Sequence, residues 1–100
     1  MMAHDPEQCT SMDEVRAGVD DIDVRIVALL ATRFRFMDAA ARIKTNRNQV
    51  RDEARKARVL DRVRSSATLL EAPADKIADV YNRLVEASIA WMALAATWAA

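Results

Sequence analysis

Histidine, cysteine and glycine occur once each in the 100 residues, and proline twice. Each scarcity closes a class of function. A single glycine excludes Gly-rich phosphate loops, dinucleotide fingerprints and type I′ hairpins, which all need more. Cys9 alone can form neither an intramolecular disulfide nor a multi-cysteine metal site. His4, the sole histidine, stands near Cys9 in the first few residues, so no Ser–His or Cys–His pair is expected inside the fold. No metal-ligand spacing is present, and no cofactor is implied. Aromatic residues make up 5%, and runs of β-branched residues are absent. The net charge of zero argues against a dedicated nucleic-acid binder.

What is present favours helix. Ala, Arg, Leu, Met, Glu and Asp dominate, and all but Asp are good helix formers. The prolines at positions 6 and 73 leave 66 residues between them without another. The expected fold class is therefore all-α, in one domain with a small core. Charge is uneven along the chain. Residues 42–64 hold nine basic and three acidic residues, a local excess of +6, and the remainder carries −6. No apolar stretch follows a basic start, which predicts no signal peptide and a cytoplasmic protein.

Residues 1–10 read as a flexible lead-in to a domain over 11–100. Ser11-Met12-Asp13-Glu14 is a capping box, in which hydroxyl and carboxylate each satisfy a free N–H at a helix start. Apolar residues then recur at 15, 19, 22, 26, 29/30, 34, 36/37, 40 and 43, predicting one helix to about Lys44. A helix of roughly 50 Å needs partner helices along its whole length. One short chain supplies few, which predicts a dimer. Thr45–Asn48 reads as a polar connection. A second helix is expected from about 51 to 66, with Val50, Ala54, Ala57, Leu60 and Val63 on one side and Ser65, Ser66 and Thr68 weakening its end. Pro73 suits the first turn of a third helix. Its stripe is expected to be Ile77, Tyr81, Leu84, Ser88, Trp91, Ala95 and Trp98. The last 14 residues carry no charge but are too few to span a bilayer. Burial against other helices is expected there, with no membrane contact.

The chemical anomaly lies in the first helix. Its apolar side continues through positions 33 and 44, which are Arg and Lys. Eleven residues is three turns plus about 20°, so both lie on or beside the face that should be buried. A cation there either snorkels or pairs with a neighbouring carboxylate, or it helps form an anion pocket. In the second case Arg33 would fork onto a carboxylate and Lys44 would act as a point charge. Arg16 lies about 260° around the helix from Arg33 and ~25 Å away. It can join the same pocket only from the antiparallel helix of a second copy. Asp52 and Arg55, at i and i+3, read either as a solvated pair or as part of that pocket. An enzyme built this way would hold an anionic substrate and stabilise charge in the transition state without a histidine base or a metal.

In this setting EQCTSMDEVRAGVDDIDVRIVALLATR (7–33), AAARIK (39–44) and VRDEAR (50–55) resemble the all-helical chorismate mutases. The resemblance is to the subgroup that includes isochorismate-pyruvate lyase, and it extends over about residues 7–98. It implies a chain of three helices with a long first one, intertwined in a homodimer with shared active sites. Arg16 would reach a substrate carboxylate from the second protomer, and Arg33 would bind the other carboxylate. Lys44 would meet the ether oxygen, and Arg33 and Lys44 are thus the catalytic candidates. Asp52 and Arg55 would lie near the ring hydroxyl and Ser88 near a carboxylate. The implied partner is a small dianion, chorismate or isochorismate.

Two positions depart from the family pattern. Lys56 stands where the mutases often carry a Glu for the ring hydroxyl. Met92 stands where the family places a Gln or Glu on the ether oxygen, and a thioether cannot donate that bond. Three outcomes follow: a chorismate mutase with activity reduced by Met92, an isochorismate-pyruvate lyase, or a catalytically weakened helical dimer acting as a binding or regulatory module.

Overall fold

The computed structural model describes residues 5–44 and 49–95. Among these, the elements are a 3₁₀ turn, Pro6–Gln8, and three helices: α1, Met12–Ile43; α2, Glu53–Leu69; and α3, Ala74–Ala95. No strand occurs among the described residues, and the all-α expectation holds. No helix among them is long and apolar enough to cross a membrane. The Thr45–Asn48 connection, His4 and Trp98 lie outside the described residues.

The chain divides into two compact units, Met1–Arg35 and Phe36–Ala100. In the first, the Asp5 carboxylate accepts from the Glu7 N–H and starts the 3₁₀ turn. The capping box forms at the start of α1. The Glu14 N–H donates to Ser11 Oγ at 3.2 Å, and Glu14 Oε1 accepts from the Thr10 N–H at 3.2 Å. The carboxylate also accepts from the hydroxyls of Thr10 and Ser11, at 3.0 and 3.2 Å. It thus reaches one residue further back than a minimal box requires. From there α1 runs unbroken for 32 residues, about 48 Å at 1.5 Å per residue. None of the described residues before Phe36 is buried. Val15, Val19, Ile26 and Leu29, on the expected stripe, all stand exposed, Leu29 to 70%.

The second unit holds every buried side chain among the described residues: Ala41, Val50, Ala67, Ala78, Val85, Ser88 and Met92. Ala41, Val50 and Met92 form one cluster, with Met37, Ala40, Ile89 and Ala95 packed against it. The last turns of α1 therefore bury their apolar side against the end of α3. At their edge Trp91 Nε1 donates to Asp38 Oδ1 at 2.7 Å.

Helix α2 starts and stops differently from the expected 51–66. It begins at Glu53, because the Asp52 carboxylate accepts from the Arg55 N–H at 2.9 Å and caps it. It runs on to Leu69 through Ser65, Ser66 and Thr68. There the Thr68 hydroxyl donates back to the Arg64 carbonyl at 3.0 Å, so the polar side chain is satisfied within the helix. The exit is a Schellman closure, in which the Ala72 N–H donates to Ala67 O and the Glu71 N–H to Thr68 O. Its left-handed residue is Glu71, with φ 57°, at the position usually given to glycine. The inward face also differs. Ala54 and Ala57 are exposed, whereas Lys56, Val59, Leu60 and Val63 are half-buried and Ala67 is buried.

Helix α3 begins at Ala74, and the Pro73 carbonyl accepts from the Ile77 N–H. Proline thus stands just before the first helical residue rather than within the first turn. The buried line is Ala78, Val85, Ser88 and Met92, which shares only Ser88 with the expected stripe through Ile77, Leu84 and Trp91. Ile77, Tyr81, Leu84 and Ala95 of that stripe are half-buried, so the inward face takes in the stripe and is centred about one residue later. Trp91 is accordingly 43% exposed, at the margin.

Candidate active site

The residues with chemical potential fall in both units. In the first, Arg16 is exposed on α1 and lies 3.8 Å from the Asp13 carboxylate, an i,i+3 surface pair of little energetic weight. Arg33 is half-buried further along the same helix, as its place on the apolar stripe leads one to expect.

In the second unit, Lys44 follows the last residue of α1. Its backbone N–H donates to Ala40 O at 2.9 Å, and the residue is half-buried. Asp52 and Arg55 stand at the start of α2, joined through the cap, with Arg55 exposed. Reading Asp52 as a pocket or ion-pair residue leaves out this capping role, although an Asp before E-A-R-K is a helix-start signal. Ser88 is buried on α3, and its hydroxyl donates to the Leu84 carbonyl at 2.7 Å. Met92 is buried one turn further on, in the apolar cluster with Ala41 and Val50. Its thioether fills space between the ends of two helices.

A charged cluster that the sequence does not single out ties α2 to α3. Glu86 Oε1 accepts from Arg51 Nη2 at 2.7 Å, and Oε2 accepts from Arg51 Nη1 at 3.2 Å, a two-pronged grip. Lys56 Nζ donates to the same Oε2 at 2.7 Å. Arg51 also reaches Glu53 at 2.8 Å. The hydrogen bonds from Arg51 and then Lys56 hold the Glu86 carboxyl down at about 2, and Glu86 in turn raises the Arg51 guanidinium above its ordinary value. The carboxyl is depressed, so its contribution to stability is present above the ordinary carboxylate range. That contribution is lost as pH falls towards about 2. The only signal in the sequence is Glu86 among apolar neighbours. Its partners lie 30 and 35 residues away.

A groove of about 400 Å³ between α2 and α3 is lined by Leu60, Arg64, Ala78, Asp79, Asn82 and Arg83. None of the expected site residues lines it. Among the described residues no group of His, Cys, Asp and Glu is placed to hold a metal ion.

A chain of three helices, with no strand among the described residues, is an all-α protein. The family model for chorismate mutase type II matches residues 15–92, and the chain belongs to that family. No curated protein and no solved structure matches the chain. The matched span contains Arg16, Arg33, Lys44, Asp52, Arg55, Ser88 and Met92.

Proposed function

We propose that the protein is a homodimeric chorismate mutase that rearranges chorismate to prephenate. The observation that carries this reading is the family match over residues 15–92, which spans every cationic residue of the proposed pocket. In the rearrangement the ether C–O bond breaks as a C–C bond forms, and no proton need be transferred. Arg16 of one protomer and Arg33 of the other would each take a carboxylate, and Lys44 would stabilise the negative charge growing on the ether oxygen. Asp52, Arg55 and Ser88 would complete the pocket. The exposed Val15, Val19, Ile26 and Leu29 support a second copy of the chain as the partner of α1.

The decisive experiment is turnover of chorismate and of isochorismate by the purified chain, with the products identified. Prephenate from chorismate is the expected result. Chorismate consumed no faster than without protein would overturn the reading. Arg33→Ala and Lys44→Ala should each lower kcat/KM by about 10²–10³ while the helical circular dichroism is retained. A fall in stability with unchanged turnover would mark them as structural ion-pair partners.

Isochorismate-pyruvate lyase is the second reading. It is favoured by Lys56 standing where the mutases often carry a Glu, and its mark is salicylate and pyruvate formed from isochorismate. A weakened dimer serving as a binding module is the third, favoured by Met92 in its apolar cluster. Met92→Gln separates it from an impaired enzyme: recovered turnover supports the enzyme, and none supports the module.

A further inference from the structure

We propose that Glu86 is a specificity-determining positioning residue, which holds the Lys56 ammonium on α3 and so sets what the ring end of the substrate pocket meets. This rests on the functional reading above, in which Asp52 and Arg55 lie near the ring hydroxyl. The Lys56 N–H donates to the carbonyl of Asp52 at 3.0 Å, so Lys56 stands on the first turn of α2, which Asp52 caps. Its ammonium is a mobile point charge with three donors on a four-carbon stem. Left free, it would be drawn to any dianion bound at that end.

The structure gives it another partner. Glu86 Oε2 holds it at 2.7 Å, and the Lys56 side chain is only 19% exposed, the least of the cluster. Arg51 grips both oxygens of the same carboxylate, so Glu86 is itself fixed. The cluster thus joins residues 30 and 35 positions apart and turns the ammonium onto α3. Chorismate and isochorismate differ in where the ring hydroxyl sits, so a charge held back from that end, or released towards it, acts on the choice between them.

The test is steady-state kinetics of the whole chain on both substrates, comparing wild type, Glu86→Gln and the double variant Glu86→Gln with Lys56→Gln. The ratio of the two kcat/KM values should shift about tenfold in Glu86→Gln, mainly through KM, as one charged hydrogen bond is redirected. It should return towards wild type in the double variant. If only one substrate is turned over, the other is read as a competitive inhibitor, and the ratio of KM to Ki takes the place of the kinetic ratio. Both substrates falling by one common factor, with a lower Tm, would make the cluster a helix staple and overturn the proposal while leaving the function intact. If wild type neither turns over nor binds either substrate, the functional reading fails and this assignment fails with it.

Discussion

The two units of the chain use the same residue types to opposite effect. In Met1–Arg35 the apolar residues of α1 recur at helical spacing, yet none of those described is buried. In Phe36–Ala100 the same helix continues, and there Ala41 joins Val50 and Met92 in a cluster. Spacing makes the helix in both units, but only in the second does that spacing meet side chains that bury it. A side chain such as Leu29 gains roughly 1.5–3 kcal/mol when moved from water into a packed surface. The first unit buries none of its described side chains, whereas the second buries a small core and still leaves Ile43, Leu69, Leu70, Val80 and Leu94 exposed.

Polar substitution on α1 should break this contrast with the largest effect. Ile26→Glu with Leu29→Glu should convert the proposed dimer to monomer in sedimentation equilibrium and abolish turnover. An unchanged mass would show that the exposed stripe is not the contact. Next, Met92→Ala should destabilise the second unit by about 2–3 kcal/mol in urea unfolding, from lost burial and the cavity left behind. A smaller effect is expected for Asp52→Ala, which removes the cap of α2 and should cost about 1 kcal/mol. The smallest change is a gain: Glu71→Gly should stabilise by up to about 1 kcal/mol, because glycine adopts positive φ without the steric penalty of a Cβ. No gain would mean that the glutamate already makes good that penalty.

Much of the fold is legible locally. The capping box, the unbroken first helix and the helix after Pro73 all depend on neighbours in sequence, and these form as expected. Features that depend on neighbours in space are not legible in this way. Periodicity marks Ile77, Tyr81 and Leu84, which are half-buried, and passes over Ala78 and Val85, which are buried. Ser and Thr discourage a helix in isolation and suggest an earlier end for α2, yet Thr68 finds an acceptor within it. In the candidate site, Arg33 and Lys44 can be named because a charge on an apolar stripe is anomalous by itself, whereas Arg16 and Arg55 are named through the family resemblance. Glu86 cannot be named, because nothing next to it in sequence shows that Arg51 and Lys56 will hold it.

The amino-acid sequence by itself determined an all-helical chain, a long unbroken first helix, and basic residues at Arg33 and Lys44 on or beside that helix's apolar side. These follow from composition and period, which act over a few residues. Tertiary structure decided which face of α3 is buried, that Met92 fills an apolar cluster, and that Glu86 carries two cations. Those outcomes depend on which surfaces meet across tens of residues, where packing and charge pairing override local preference.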